Sequence, residues 1–504
     1  MCIHEPKTAP GAIARRVRGF LLLPYLIFSL FFSVPAEAAL ETDAAGIDER
    51  QKVYSCAVHV HSEISSTGRY SLNELALLAE DRGIDVVFLT DNLTHRIQYG
   101  IAPARHLLWM DHSRRSIMSV GAEKYLELIE KQNRRVSNVL FIAGAEICPR
   151  FYWTGSLSKG DLTCRDHQRN IIVLGLDNPE VIESIPETAG FVRGRHTAWI
   201  IGSRVILGAF ALAIAGVAVC PCLARRSGYS CKVLRRAVLR GFFVPIALCA
   251  VVFNVTASLV PAFDIYGAAG SPSHAQRTTD FLAEHGLLHY WAHPEEADRH
   301  RFRYAGVAFE TRTDPYPEAL RQTEGYTGFG GVYEGRNTLV EADGVWDRVL
   351  RDYVEGRRHR PAWCFGEMLY HYEGQAGKKL GNVETMVWAS ERSRDSILES
   401  MGRGRFYARR NKAERSLVLK KWQLRKKKQG QIEIDIRIES SGEPEQVSVC
   451  LVRNGEKFRE LKGATPFDRT IADTSASEDV YYRLNAYGEW PLTLVANPIF
   501  TAGQ

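Results

Sequence analysis

A chain of 504 residues exceeds one ordinary domain, and 45% hydrophobic with 24% charged residues is the balance of a folded protein, so two or three units are expected. The formal net charge of +6 is local: Arg225, Arg226, Lys232, Arg235, Arg236 and Arg240 stand without an acid between them and equal the whole excess. The rest of the chain is balanced, which excludes a general nucleic-acid footprint.

Residues 1–38 read as an export signal. Arg15, Arg16 and Arg18 form a basic region, Phe20 to Val34 an apolar one, and Ala36-Glu37-Ala38 an A-x-A cleavage site. An uncleaved anchor would leave the following chain on the same outer side. The Arg15-Arg16 pair also raises twin-arginine export, a signal its surroundings match poorly.

From Tyr54 to about Arg410, short apolar runs alternate with helical patterns, the mark of an α/β unit. The runs are Cys56 to Val60, Asp85 to Leu89, Val139 to Ala143, Ile171 to Leu174, Leu287 to Ala292, Gly306 to Phe309 and Ala362 to Phe365. Helices are expected at Ser71 to Arg82, opened by a Ser71-x-x-Glu74 capping box, and at Ala122 to Gln132. Two segments interrupt the alternation, Thr197 to Leu223 and Gly241 to Phe263, each long and apolar enough to cross a bilayer. Arg204 is the charge inside the first and lies near its outer end, where it can snorkel to the headgroups. The basic residues between the spans mark the cytoplasmic side, so everything before 197 and after 263 is expected outside.

After about Lys412 the apolar period becomes two: Ile432, Ile434, Ile436 and Ile438 alternate with polar residues, and Val447, Val449 and Leu451 repeat the pattern. Asn454-Gly455 supplies a hairpin turn, and Leu492 and Leu494 end the series, as in a β-sandwich. The basic run Arg425 to Lys428 reads as a solvated linker or an anionic-lipid contact. The expected organisation is a signal at 1–38, a first catalytic part at 50–196, a membrane hairpin at 197–263, a second part at 264–411 and a sandwich at 412–504. Of the ten cysteines, five lie outside the signal and hairpin, and Cys148 with Cys164 is a disulfide candidate there.

The chemistry concentrates at strand ends. His59-Val60-His61 closes the first run, and period two places both imidazoles on one face. Val86 to Thr90 leads into Asp91, Leu140 to Ala145 into Glu146, Leu287 to Ala292 into His293, and Ala362 to Phe365 towards Glu367 and His371. Metal-capable side chains thus follow several strands at one end, where parallel-strand barrels assemble active sites. Imidazole and carboxylate without thiolate suit zinc, manganese or iron.

His59-Val60-His61-Ser62, then Phe88-Leu89-Thr90-Asp91, Gly144-Ala145-Glu146 and Ala292-His293-Pro294, resemble the PHP (polymerase and histidinol phosphatase) superfamily over residues 54 to 190 and 265 to 410. The resemblance implies a distorted seven-stranded β/α barrel, two or three divalent transition metal ions and phosphoester hydrolysis. His59, His61, Asp91, Glu146 and His293 would be ligands, with His167, His371 and Glu367 behind them. Two ions about 3.5–4 Å apart would lower the pKa of a shared water. The sequence departs from the family at Thr90-Asp91-Asn92, where an amide replaces a histidine, and at Leu369-Tyr370-His371, which lacks an aspartate. Arg69, Arg150 and His95 lie near the motifs and are candidates for phosphate contact. The expected partners are a small-molecule or envelope-derived phosphoester and the lipid bilayer, with no nucleic acid; the alternative is a binding module without turnover.

Overall fold

The computed structural model describes residues 52–102, 104–105, 107–187, 193–227, 230–258, 265–266, 273–304, 306–335, 337–427, 431–475 and 479–501. The expected signal lies outside them. The architecture is mixed α/β, and among the described residues the largest sheet has 13 strands.

Seven of these strands form one half: β1 (Lys52–Val60), β2 (Val86–Leu89), β5 (Leu140–Ile147), β8 (Ile171–Leu174), β9 (Leu288–Trp291), β12 (Gly328–Val332) and β13 (Trp363–Gly366), adjacent in that order. β1, β2 and β5 run parallel, β8 is antiparallel to both neighbours, and β9, β12 and β13 resume the first direction. Val86–Leu89 and Ile171–Leu174 are buried throughout, as strands covered on both faces must be. Past Gly366 the chain returns along β1: Met368 N–H donates to Val58 O at 2.9 Å, Tyr370 N–H to His59 O at 2.8 Å, and His61 N–H to Tyr370 O at 2.9 Å. The first and last of the seven are thereby joined.

The helix α1 (Leu72–Asp81) opens with the expected capping box, Ser71 and Glu74 satisfying each other's backbone N–H groups. Together with α2 (Ala122–Arg135) it covers the sheet, and Leu75, Ala79, Tyr125 and Ile129 join one large core. The run Gly306–Phe309 was expected in this alternation; it belongs instead to a separate sheet. There β11 (Val307–Thr313) pairs with β10 (Asp298–Tyr304) and with β7 (Thr163–Arg165), which pairs with β6 (Tyr152–Thr154). Half-exposed polar residues alternate along β11, as on a sheet with one wet face. The hairpin β3 (His95–Gly100) with β4 (Trp109–Arg114) stands beside it.

The large sheet continues through β14 (Val383–Ala389), β15 (Phe406–Arg410), β22 (Thr493–Phe500), β21 (Tyr481–Tyr487), β18 (Gln446–Arg453) and β19 (Glu456–Ala464). A three-stranded sheet of β16 (Leu417–Lys426), β17 (Ile432–Ser440) and β20 (Phe467–Asp473) shares a second core with it, in which Ile432, Ile434, Ile436 and Ile438 are buried as the period of two requires. Asn454 and Gly455 both take positive φ, as a tight two-residue hairpin turn demands. Of the basic run Arg425 to Lys428, Lys428 lies outside the described residues; Arg425 and Lys426 end β16 rather than forming a linker, and Arg425 pairs with Asp435 at 2.7 Å and the following Lys427 with Glu433 at 3.2 Å, because β17 presents acids opposite them. Cys148 and Cys164 are free thiols: Cys148 Sγ turns to the carbonyl of Asp166, and Cys164 packs with Phe151 and Trp153.

Among the described residues, two helices between β8 and β9 are long and apolar enough to cross a membrane, Ile201–Cys222 and Cys231–Thr256. Leu212, Ile214, Leu248 and Val251 are exposed there, an apolar surface that water does not favour. The second begins ten residues earlier than the apolar segment expected from Gly241, so that Lys232, Arg235, Arg236 and Arg240 are helical rather than looped.

Candidate metal centre

Six of the seven strands deliver their C-terminal ends to one rim, and β8, being reversed, delivers its beginning. Three backbone positions at this rim are held at positive φ by non-glycine residues: His59 at 70°, His293 at 28° and Leu369 at 43°. Such conformations cost of order 1–3 kcal/mol each and persist where the surrounding structure enforces them. At His59 the cause is visible, since the β1–β2 register shifts between Val58 and Val60. His59 and His61 do converge, with ring centroids 5.1 Å apart, but through this bulge rather than the simple pleat expected.

Glu146 is the centre of the arrangement. His59 Nε2 lies 3.3 Å and His293 Nε2 3.9 Å from its Oε1, and His61 Nε2 lies 3.5 Å from its Oε2. Neither His59 Nε2 nor His61 Nε2 makes a hydrogen bond among the described residues, though both are fully buried. An orphaned buried nitrogen is costly unless something binds it. Asn92 and Asn170 each donate a side-chain amide to Glu146 at 2.6 Å, fixing its carboxylate plane. A carboxylate offers about four lone-pair sites, so two remain.

Glu367, expected as a weaker ligand, lies within reach of the same histidines and also braces them. Fully buried, it takes His59 Nδ1 at 2.6 Å on one oxygen and the backbone N–H of His293 at 2.6 Å on the other. With Nδ1 turned to Glu367, Nε2 is the nitrogen directed at the site, the carboxylate–imidazole arrangement that orients metal ligands. Among the described residues, two sets of side chains bring ligand atoms within 4.8 Å of one another: His59, His61 and Glu146, and His59, His293 and Glu367. These donors fit a divalent cation.

Burial disfavours a charge on His59, but Glu146 and Glu367 outweigh it and raise its pKa to about 9. Glu146 is held well below the usual carboxylate range against its own burial by His59, His293 and His61. His61, buried and beside His371, is pushed well down. A negative carboxylate therefore stands among the imidazoles.

Asp91 is not brought into either set. Its two oxygens accept four hydrogen bonds, from the N–H and hydroxyl of Ser62 and of Ser65, at 2.6–3.3 Å. Burial nevertheless raises its pKa to about 6. It braces the loop that carries His61. His371 lies outside both sets but near, its ring 4.5 Å from that of His61. His167 and His95 line the same cleft, of about 320 Å³, with ring centroids 6.3 Å apart. Burial lowers the pKa of His95, His167 and His371 to about 4, so all three are neutral donors or acceptors near pH 7. Arg69 stacks on Tyr372 at 3.5 Å, and Arg150 opens on a different cleft.

Asn170 was missed in the sequence because it precedes its strand. Only the reversal of β8 brings it to the rim. Gly330 was missed with β12: a Cβ there would collide with Glu367 Oε2. The Gly-Phe-Gly-Gly run was the available signal, marking a close approach of backbone to another group.

No family model matches the sequence, and no curated protein matches it. Among solved structures the chain is similar to a two-domain protein containing a predicted PHP-like metal-dependent phosphoesterase from Bacteroides vulgatus ATCC 8482, at 12% identity and a TM-score of 0.34, over 88% of this chain and 96% of that one.

Proposed function

We propose that this chain is a membrane-anchored, metal-dependent phosphoesterase built on a PHP-type barrel with a C-terminal sandwich, its site on the outer side of the membrane. The observation that carries the reading is the pair of orphaned imidazole nitrogens, His59 Nε2 and His61 Nε2, aimed at an anionic Glu146. His59, His61, His293 and Glu146 would hold the ion, zinc, manganese or iron, with His371 next to them. A divalent cation there supplies Lewis acidity towards a phosphoryl oxygen and towards water. The protein's own part is positional. Glu367 fixes the tautomer of His59, the two asparagine amides fix Glu146, and neutral His95, His167 and His371 offer hydrogen bonds to phosphoester oxygens.

The two apolar helices are inserted between β8 and β9, which tethers the barrel to the bilayer at both ends of the hairpin. A lipid-linked or envelope-derived phosphoester suits that position. Reporter fusions after Val192, Lys232 and Ala268 are expected to read outside, inside and outside. The activity test is hydrolysis of an aryl phosphate by detergent-purified protein loaded with zinc, manganese or iron. Turnover abolished by His59→Ala and by Glu146→Ala supports the reading; turnover indifferent to both overturns it. A binding module without turnover is the second reading, favoured by the amides of Asn92 and Asn170 on Glu146 and by the serines that occupy Asp91. It predicts metal uptake with no hydrolysis of any phosphoester.

A further inference from the structure

The second apolar stretch carries no charge from Gly241 to Phe263, and Asp264 is the first charged residue after it. Ile265 and Tyr266 follow directly and are clamped to the small sheets beside the cleft. Trp153 N–H donates to Ile265 O at 2.7 Å, and Gly100 N–H donates to the Tyr266 hydroxyl. Ile265 is buried with Phe151, Trp153 and Leu162, and the Arg105 guanidinium stands 4.2 Å from the Tyr266 ring centroid. Three residues of fully extended chain span at most about 11 Å, so Tyr266 lies no further than that from the end of the apolar stretch. The β3–β4 hairpin, which grips Tyr266 through Gly100 and Arg105, is fixed beside the same point.

The turn of that hairpin is apolar where it faces outward. Ile101 N–H donates to Leu108 O at 2.7 Å, which sets the two residues opposite each other, and they are 40% and 44% exposed. The sequence from Ile101 to Leu108 holds no acid, and Arg105 is a cation within it. Phe302 of β10, also exposed, stacks on Phe309 with ring centroids 5.5 Å apart and extends the apolar surface across the neighbouring sheet. Exposed aliphatic side chains backed by a cation and aromatic rings are the make-up of a segment that sits at a lipid–water interface.

We propose that the β3–β4 turn, through Ile101 and Leu108, inserts into the surface of the lipid bilayer. The inference rests on the membrane-anchored reading of the chain and on no part of the proposed hydrolysis. Arg105 then stands at headgroup level, where its charge meets lipid phosphate. β3 becomes a spacer between membrane and site. His95 at its start lines the metal-centre cleft, and Gly100 at its end is bonded to Tyr266. Five steps of a strand at about 3.4 Å each make ~17 Å, which brings the cleft within reach of a phosphoester on an extended lipid headgroup.

The test uses the full chain, purified in detergent and reconstituted into phosphatidylcholine vesicles that include a phosphatidylcholine with a diazirine close to its glycerol backbone. After illumination, the labelled peptides are mapped by mass spectrometry. Peptides covering Gly100 to Trp109 are expected to be labelled at least about fivefold more than the peptide carrying Leu77, a leucine of α1 that is more exposed than either turn residue. Ile101→Asp combined with Leu108→Asp is expected to cut labelling of the turn about fivefold, with labelling of Ile201–Cys222 and Cys231–Thr256 unchanged. Labelled apolar helices together with a turn labelled no more than Leu77 would overturn the proposal and leave the membrane anchor standing. Apolar helices that take no label would overturn both. The wild-type pattern decides even if the doubly substituted chain fails to fold.

Discussion

Glu367→Gln isolates the role of a residue that touches no cation directly in the proposed arrangement. Two donors converge on it, His59 Nδ1 and the His293 N–H, each at 2.6 Å and each on its own oxygen. A glutamine has one carbonyl oxygen and one amide that only donates, so one of the two donors must face another donor. A buried unsatisfied donor costs about 1–3 kcal/mol. The side chain is fully buried and cannot swing to water. If the loss falls on His59, its ring no longer has a fixed tautomer; if on His293, the strained backbone at φ 28° loses its tether. Either way the donor set is misplaced. Loss of such a supporting carboxylate typically weakens metal binding 10- to 100-fold, about 1.4–2.7 kcal/mol. The assay is competition for zinc against a chromophoric chelator, with circular dichroism to confirm the fold. Affinity within about twofold of wild type in a folded variant would refute the assignment, because 0.4 kcal/mol is below the cost of one orphaned donor.

Gly330→Ala attacks the same carboxylate from β12, since the new Cβ occupies the space of Glu367 Oε2; a loss of metal affinity of about tenfold or more and overpacking of about 1–3 kcal/mol are expected, read by chelator competition and thermal melting. Asp347→Ala leaves Arg483 buried without its partner at 2.5 Å, and removes the acceptor of Tyr481 Oη at 2.9 Å, so that the joint between helix Val345–Val354 and β21 weakens; a stability loss of about 3–5 kcal/mol is expected in denaturant unfolding. Acid should weaken the β18–β20 contact. Burial alone would raise the pKa of Asp473, but the Tyr482 hydroxyl, Arg453 and Ser475 lower it to about 2. A depressed carboxylate stabilises the fold above its unfolded pKa of about 4 and loses that contribution as pH falls towards 2, here about 2 kcal/mol. Asp473→Asn should flatten this part of the pH–stability curve.

The legible part of the fold was the part with strong periodicity. Ile171–Leu174 and Val86–Leu89 are continuous apolar runs and are buried strands, and Ile432 to Ile438 alternates and buries one face. The Gly-rich β12 carried no such signal, since its glycines answer to the close passage of Trp363 and Glu367 rather than to propensity. Val307–Thr313 has strand-forming residues, and nothing local tells which sheet it joins. At the candidate site, His59, His61, Glu146 and His293 were readable from their places after strands. Asp91 was also readable as a carboxylate at a strand end, but which partner it finds depends on Ser62 and Ser65 folding back over it. Asn170 depended on strand direction, a long-range property. Glu367 was found as a nearby carboxylate, and only the geometry shows that it also braces His59 Nδ1 and the His293 backbone.

Metal content is the most direct test of the central claim. Full-length protein purified in detergent, incubated with zinc, manganese or iron, desalted and measured by inductively coupled plasma mass spectrometry is expected to retain at least about one ion per chain. The double substitution His59→Ala with Glu146→Ala should retain almost none while keeping its circular dichroism spectrum. Folded wild-type protein that holds no more metal than the double variant would contradict the account.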